Sequence, residues 1–213
     1  ERQPCSWVLT SATLSVGGRF EHIQKRLGMD AATTLRLESP FDFKRQAVFY
    51  APDGLPAPND PGYTAALCDA MVPVINAAKG RTFFLFTSHR ALREAAQLLR
   101  PRLDYPLLVQ GESGRRELLD SFREKGNAVL LGTSSFWEGV DLPPGVLKAL
   151  VLTRLPFHVP TDPIAKTRSE QYQDPFKEYS IPQAVLRFRQ GIGRLIRNKG
   201  DKGSLVVLDR RIT

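Results

Sequence analysis

The sequence contains few cysteines and histidines and no long apolar run. Its two cysteines, Cys5 and Cys68, are too few for a disulfide framework or a four-thiolate metal site. They are typical of the reduced thiols of a cytosolic protein. The three histidines, His22, His89 and His158, are scattered and indicate no metal cluster. Because no apolar run reaches the roughly 18 residues that a membrane-spanning helix needs, such a helix is excluded as well.

The amino terminus lacks the basic-then-apolar layout of a signal peptide and begins with Glu1 rather than Met. We therefore expect the chain to be an excised piece of a longer protein. Its 213 residues, 42% hydrophobic and 24% charged, are ordinary for one generous globular domain. Lys and Arg number 30 against 22 Asp and Glu, which gives a net charge of +8. This excess favours a polyanionic partner such as nucleic acid, although many basic domains bind none.

Short apolar runs alternate with longer amphipathic runs along the chain, which predicts an α/β fold. Residues 82–87 and 128–132 are apolar runs of strand length, as expected for strands that are buried on both faces of a parallel sheet. We expect a mostly parallel sheet with helices on both faces and with ligands at the carboxyl ends of the strands. The remaining predicted strands are residues 7–10, 34–37, 47–50, 106–109, 149–153 and 205–208.

Apolar spacing and capping residues predict the helices. Ser88 can cap the helix that follows strand 82–87, and Ser180 forms a capping-box pair with Gln183 before the last helix. Residues 51–62 carry four prolines and are expected to form a surface loop. The predicted helices are residues 19–29, 63–78, 89–103, 113–125, 162–172 and 180–198.

The last of these helices has the composition of a binding site. At about 100° per residue, Gln190, Arg194 and Arg197 fall on one face of the helix and the apolar side chains on the other. Gly191 and Gly193 stand beside the polar face, where glycine lets a ligand approach the backbone closely. Planar guanidinium groups beside an amide suit phosphate recognition. An ordinary amphipathic helix with a solvated basic face remains the alternative.

Four segments resemble, in order, the motifs of superfamily 2 helicases. QGIGRLIR at residues 190–197 resembles the sixth motif, and together with the NKGDKG that follows it resembles the DinG branch of the DinG/XPD-like DNA helicases. TSATL at residues 10–14, FTS at 86–88 and GTSSFWEGVD at 132–141 resemble the third, fourth and fifth motifs. The resemblance covers essentially the whole chain, and it is specific because the motifs occur in order with family-like spacing.

The resemblance implies a RecA-like three-layer sandwich. In this family two RecA-like domains clamp ATP between them, and single-stranded DNA crosses both. Residues 1–15 would be the tail of the first motor domain and residues 16–213 the second motor domain. The sequence has no G-x-x-x-x-G-K-[ST] loop and no D-E-x-H segment. ATP phosphates and Mg²⁺ would therefore be held mainly by the first motor domain, where an iron–sulfur cluster also lies when one is present.

The resemblance also implies which residues face the nucleotide. Arg197 and Arg194 would contact ATP phosphates and stabilise the charge of the transition state, as arginine fingers do. Gln190 would orient the attacking water or contact a neighbouring phosphate. For Asp141, capping the turn before Pro143 is an alternative role. The other residues expected at the nucleotide cleft are Glu138, Gly139 and Gly193.

The DNA track is expected where two of the strands end. Thr87 and Ser88 stand at one strand-to-helix junction, and Thr133 and Ser134 hold the same kind of position after another strand. Hydroxyls and free helix N–H groups at such positions suit a DNA phosphate. Ser88 as a plain helix cap fits the same geometry. Trp137 is expected either to stack on a base or to belong to the core.

Together these features predict the second motor domain of an ATP-dependent DNA helicase that translocates on single-stranded DNA, 5′ to 3′ by resemblance, and unwinds duplexes. Its partners would be ATP, single-stranded and forked DNA and the first motor domain of the same chain, with no membrane. Alone, the chain should not hydrolyse ATP. A non-catalytic nucleic-acid-binding or protein-docking module with the motor fold is the alternative. An unrelated doubly wound nucleotide-binding enzyme is weakened by the lack of a glycine-rich loop after the first strand.

Overall fold

The computed structural model describes residues 5–11, 13–133, 136, 142–143, 145–158 and 162–212. The chain divides into two compact units. The first comprises residues 1–38 and 157–190, and the second comprises residues 39–156 and 191–213. The sheet belongs to the second unit, whereas the described elements of the first unit are helices.

The second unit is built on six strands: β1 (Ala47–Tyr50), β2 (Thr82–Phe86), β3 (Leu107–Val109), β4 (Val129–Thr133), β5 (Ala149–Leu152) and β6 (Gly203–Val207). They form one sheet in the order β1-β6-β5-β2-β4-β3, and all neighbouring pairs are parallel. The central strands β2, β4 and β5 are buried along their whole length. The parallel α/β sheet predicted from the apolar runs is therefore confirmed.

The helices named within the described ranges are α1 (Glu21–Leu27), α2 (Phe43–Gln46), α3 (Tyr63–Ala77), α4 (His89–Leu99), α5 (Arg115–Lys125), α6 (Pro163–Ser169) and α7 (Ile181–Ile192). Helices α3 and α4 share one core cluster with Phe84 and Phe86 of β2. Phe83 of the same strand points the other way and packs edge-on against Phe136. Burying each of these side chains contributes about 1.5–3 kcal/mol. Both faces of the central strands therefore help to stabilise the second unit.

Two connections in the second unit depend on turn-forming residues. Gly80, which follows the end of α3, has a φ of +83°, and a Cβ added there would lie 1.9 Å from the carbonyl oxygen of Asn127. Both the left-handed backbone and the close approach require glycine at this position. The proline-bearing residues 51–62 contain no helix or strand, which confirms the expected loop between β1 and α3.

Two predicted strands do not form, and the helix predicted over residues 89–103 is shorter than expected. Residues 7–10 and 34–37 form no strand, and their apolar side chains are exposed, with Trp7 at 77% and Leu37 at 80%. A run of strand-forming residues becomes a strand only where a neighbouring strand pairs with it, and the described sheet offers these runs none. The predicted helix 89–103 continues past Leu99 only as a 3-10 turn, because Pro101 lacks a backbone donor.

The first unit contains α1, α6 and most of α7, and one π-helical turn, Phe176–Ser180, leads into α7. Asp162 caps α6 by accepting from the N–H groups of Ile164 and Ala165 at 2.9 and 3.1 Å. The α6 helix is shorter than the predicted 162–172, since it ends at Ser169. In the described ranges, no helix is long and apolar enough to cross a membrane.

The predicted capping box of α7 is wrong. Ser180 belongs to the π-helical turn, and the side-chain amide of Gln183 lies 2.7 Å from Nε2 of His22 instead. The amide therefore ties α7 to α1 within the first unit rather than closing on its own helix start.

The predicted extension of α7 to residue 198 is also wrong, because the helix ends at Ile192. The N–H of Arg194 donates to the carbonyl of Gly191 at 2.9 Å, the spacing of a 3-10 turn. Gly191 and Gly193 each cost about 1 kcal/mol relative to Ala in a helix interior, which favours an early end. Arg194 and Arg197 consequently do not continue the helical face on which Gln190 stands.

Tyr179 is the centre of an aromatic cluster in the first unit. It is buried, and His22, His158 and Tyr172 surround it with ring centroids 6.3, 6.2 and 5.7 Å away. Burial lowers the pKa of both His22 and His158, and the positive charges of nearby arginines lower each pKa further. The cluster is therefore stable with neutral imidazoles.

We expect the first unit to lose stability as the pH falls below the ordinary histidine pKa of about 6.5. The unfolded state then binds more protons than the folded state, since the folded pKa values of His22 and His158 lie below that value. Amide hydrogen exchange of residues 176–190, corrected for intrinsic rates, should quicken between about pH 7.5 and 5.5. The double variant His22→Gln/His158→Phe should show a smaller change, and His89→Gln, which removes an exposed histidine, should behave as the parent does. If the exchange rate of the double variant rises as much as that of the parent, His22 and His158 do not cause the loss of stability.

Candidate functional site at the carboxyl edge of the sheet

Three of the predicted DNA-binding residues lie together at the carboxyl edge of the sheet. β2 and β4 are neighbours, and Phe86, the last residue of β2, is the register partner of Thr133, the last residue of β4. Thr87 and Ser88 follow β2 directly, and both are exposed. The parallel sheet therefore brings these positions to one edge although they come from separate parts of the sequence.

Ser88 is the cap of α4. Its Oγ accepts a hydrogen bond from the N–H of Ala91 at 3.2 Å, and its backbone is extended, as a capping residue requires. The next two residues, His89 and Arg90, are exposed. The N-terminus of α4 is thus open to solvent, with helix N–H groups and a cation placed where an anion could bind.

Thr133 is more deeply buried than we expect for a residue that binds DNA. Its exposed fraction is 5%, and both its N–H and its Oγ1 donate to Oε1 of Gln110, at 2.6 and 3.0 Å. Gln110 follows β3, and its N–H donates to the carbonyl of Leu131 at 2.9 Å. Thr133 therefore positions the Gln110 amide at the carboxyl edge. Sequence reasoning missed Gln110, although its place directly after a predicted strand was the same signal that pointed to Thr87.

Arg197 lies against the chain that follows the predicted fifth motif. Its guanidinium NH1 donates to the carbonyl of Leu142 at 3.2 Å, and Leu142 is the residue after Asp141. Arg194 is half-buried in the preceding turn, and Gly193 is exposed. The second unit therefore brings the predicted arginine-bearing segment close to the end of the predicted fifth motif.

A buried carboxylate that the sequence analysis missed supports Arg197. Asp201 is 6% exposed, and its Oδ2 accepts from the N–H groups of Arg197 and Asn198 at 2.9 and 3.0 Å. The side chain of Gln46 donates to the carbonyls of Asn198 and Asp201 at 2.8 and 3.0 Å, which fastens the turn to the start of β1. The signal available in the sequence was the Asn-x-Gly-Asp pattern of a turn.

A second buried carboxylate organises the carboxyl ends of β5 and β6. Asp209 accepts from the N–H of Leu155 at 3.0 Å and forms an ion pair with Arg211. Burial opposes its charge, but the hydrogen bonds from Arg211 and Leu155 outweigh burial and hold the pKa of Asp209 below its usual range. Burial, with the charge of Asp209 adding to it, raises the pKa of the neighbouring Tyr63 to about 12. The Tyr63 hydroxyl therefore stays protonated, and it contacts the carbonyl oxygens of Thr153 and Leu208, the latter at 3.2 Å.

Gln190 belongs to the first unit. Its Nε2 lies 3.4 Å from Oγ1 of Thr13, and the guanidinium of Arg189 donates to the carbonyl of Ser15 at 2.9 Å. The segment with the predicted sixth motif therefore contacts the segment with the predicted third motif. The predicted residues that lie outside the described part of the chain are Ser134, Trp137, Glu138, Gly139 and Asp141.

The sequence of this chain is similar to the carboxyl-terminal domains of known helicases. A family described as the helicase C-terminal domain matches residues 71–213. The chain is 44% identical over 215 residues to the ATP-dependent DNA helicase YoaA of Escherichia coli (strain K12), covering 99% of this chain and 34% of that protein. It is 39% identical over 221 residues to the 3'-5' exonuclease DinG of Bacillus subtilis (strain 168), covering 97% of this chain and 24% of that protein. The chain thus spans about a third or less of the length of these relatives.

Two solved structures share the fold. An XPD helicase matches with a TM-score of 0.71 at 20% identity, covering 95% of this chain and 38% of that chain. An apo form of XPD matches with a TM-score of 0.64 at 18% identity, covering 90% of this chain and 42% of that chain. At such identities the likeness shows the fold alone, and it confirms the RecA-like arrangement expected from the sequence.

Replacing Ser88 separates its capping role from its expected DNA contact. Ser88→Asp should leave the thermal midpoint unchanged, because Asp caps a helix as well as Ser does. The same variant should bind single-stranded DNA about tenfold more weakly, because a carboxylate would repel the phosphate. Ser88→Ala should instead destabilise the domain by about 1 kcal/mol through loss of the cap.

Fluorescence anisotropy with a labelled oligonucleotide and a thermal scan of the full-length protein provide the two measurements. Asn127→Asp is the matched control, since it adds the same charge at an exposed position before β4, at the opposite edge of the sheet. If Ser88→Asp binds DNA as the parent does, Ser88 acts only as a helix cap.

Proposed function

Because this chain belongs to the helicase C-terminal domain family, we propose that it is the second motor domain of an ATP-dependent DNA helicase. It would complete an ATP site whose phosphate-binding loop lies on the first motor domain of the same protein. Residues 1–15 would be the tail of that first domain, and residues 16–213 the second. The observation that carries the proposal is the hydrogen bond from Arg197 of the sixth motif to the carbonyl of Leu142, the residue that follows the fifth motif.

Arg197 and Arg194 are the groups proposed to face the ATP phosphates. A guanidinium stabilises the negative charge on the phosphoryl oxygens in the transition state, an effect worth about 10³–10⁵ in rate where arginine fingers have been tested. Asp201 acts as a positioning residue, since it holds the backbone of Arg197 through a buried carboxylate. Glu138, Gly139, Asp141 and Gly193 would line the same cleft.

Gln190 is proposed to orient the attacking water or to contact a neighbouring phosphate. Its contact with Thr13 supports a link between the third and sixth motifs, through which the state of ATP could alter the grip on DNA. Mg²⁺ would be bound mainly by the first motor domain, and within the described ranges no group of three or more His, Cys, Asp or Glu could hold a metal. An iron–sulfur cluster, if the protein has one, would also belong to the first motor domain.

The carboxyl edge of the sheet is proposed as the DNA track. Thr87, Ser88 and the open N-terminus of α4 would bind phosphates of single-stranded DNA, and Gln110, positioned by Thr133, would contribute an amide to the same edge. Ser134 and Trp137 would extend this track. Translocation 5′ to 3′, with unwinding of forked DNA, completes the proposal.

Arg197→Ala should abolish DNA-stimulated ATP turnover of the full-length protein, with a fall in kcat of about 10³-fold or more, because the charge on the phosphoryl oxygens loses its partner. Affinity for single-stranded DNA should stay near that of the parent. The matched control is Arg116→Ala, which removes a side chain on α5 that is 97% exposed. Near-normal ATP turnover would contradict the role of Arg197 as an arginine finger. A loss of DNA affinity alone would place Arg197 on the DNA track.

The isolated 213-residue chain should show no DNA-stimulated ATP hydrolysis above background, because it carries no phosphate-binding loop. An Arg197→Ala version of the same chain controls for contaminating ATPases. If the parent chain hydrolyses ATP faster than this control, the proposal that hydrolysis needs the first motor domain is contradicted. A full-length protein that binds DNA but never hydrolyses ATP would favour the alternative, a non-catalytic docking module.

A further inference from the structure

Strand β1 forms an open edge of the sheet. It pairs with β6 on one side and is the last strand in the described order. Val48, Phe49 and Tyr50 are 63%, 56% and 44% exposed, although apolar strand residues are normally covered. An edge strand presents unpaired N–H and C=O groups, and natural proteins usually protect such an edge when it is also apolar. The exposure of β1 on both faces indicates a surface that another segment covers.

A groove of about 560 Å³ lies beside β1 at the amino edge of the sheet. The side chains of Val48 and Tyr50 line it from the strand, and Val74 and Ala77 line it from the carboxyl end of α3. Val206 of β6 contributes to the floor. The groove therefore continues the apolar surface of β1 towards the helix layer, and its aliphatic lining suits apolar side chains better than nucleotides.

The groove is also strongly basic. Its lining includes five cations, namely Lys44, Arg45, Arg81, Lys148 and Lys202. Asp42 partly neutralises Arg45 at 3.5 Å, but no Asp or Glu is among the described residues that line the groove. These side chains gather where β1, β2, β5 and β6 begin, so their charges add at one end of the groove.

Main-chain bonds hold part of this cluster in place. The N–H groups of Lys148 and Ala149 both donate to the carbonyl of Arg81, at 2.8 and 3.1 Å. The ammonium of Lys148 also donates to the carbonyl of Lys202 at 3.4 Å. Arg81, Lys148 and Lys202 are thus linked where β2, β5 and β6 begin.

We propose that β1 and this groove bind an acidic, extended polypeptide segment, which adds to the sheet as a further strand beside β1. Its backbone would pair with the free edge of β1, and its alternate apolar residues would enter the groove beside Val48 and Tyr50. Its carboxylates would lie against the cations at the amino edge. This surface is at the opposite edge of the sheet from Thr87 and Thr133, so the proposal goes beyond the DNA track proposed for the carboxyl edge.

The test uses the full-length protein and a fluorescein-labelled peptide that alternates Val with Thr and carries Asp-Glu pairs at both ends. The peptide should bind, and the affinity should fall as salt is added, because carboxylates and cations attract each other through solvent. The double variant Lys148→Glu/Lys202→Glu should weaken binding about tenfold by reversing two of the charges. Lys125→Glu, an exposed position on α5, is the matched control and should bind as the parent does.

Two further peptides test the strand geometry. A peptide with Lys in place of Asp and Glu should not bind, and a peptide N-methylated at alternate residues should lose binding because it cannot complete the ladder of hydrogen bonds. DNA-stimulated ATP turnover of the single variant Lys148→Glu, which leaves residues 198–203 unchanged, should match that of the parent. If the double variant does not fold, Lys44→Glu/Lys202→Glu, which changes two exposed side chains, replaces it.

Three results would overturn the proposal. One is the absence of peptide binding to the full-length protein, which would mean that another part of the chain already covers β1. The second is equal binding of the Lys-containing or N-methylated peptide. The third is displacement of the peptide by a single-stranded oligonucleotide whose own affinity falls in the double variant, which would make the groove a nucleic-acid surface.

Discussion

The common direction of the strands is the constraint on which the rest of this structure depends. Because all six strands are parallel, their carboxyl ends share one edge of the sheet and their amino ends share the other. Parallel strands need crossover connections, so helices cover the faces and the central strands are apolar throughout. Several of the polar side chains of the candidate site lie where strands end. Thr87, Ser88, Gln110, Thr133 and Asp209 all occupy such places.

The turn after α7 depends on burial of a charge. Asp201 is almost fully buried, and a buried carboxylate is costly unless it is hydrogen-bonded. The backbone N–H groups of Arg197 and Asn198 donate the hydrogen bonds that this carboxylate needs, and the turn holds both groups in position. Gln46 adds bonds from the start of β1. The backbone of Arg197 is consequently set by a buried network in the second unit rather than by a helix.

The two edges of the sheet differ in the way they use charge. At the carboxyl edge, the buried carboxylate of Asp209 organises the backbone after β5. At the amino edge, Lys44, Lys148 and Lys202 gather beside an apolar strand, and the described lining of that groove includes no carboxylate. The net charge of +8 is therefore not spread evenly as a general attraction for polyanions. Part of it is concentrated at the amino edge of the sheet, the opposite edge from Thr87 and Thr133.

The sequence by itself determined the features that depend on local signals. Continuous apolar runs predicted the buried parallel strands, Ser88 predicted the start of α4, and four ordered motifs indicated the family. Those signals are strong because strand burial and helix capping involve residues that are close in the chain. The motifs did not predict which side chains their residues contact. Thr133 is hydrogen-bonded to Gln110, and Gln190 contacts Thr13.

Only the tertiary structure decided what depends on distant partners. The end of α7, the bond from Gln183 to His22 and the failure of residues 7–10 to form a strand could not be inferred from spacing. Gln46 and Asp201, which fasten the turn that carries Arg197, are 155 residues apart. Local periodicity records how a segment can fold, but the partner that satisfies a buried polar group is set by the packing of the whole unit.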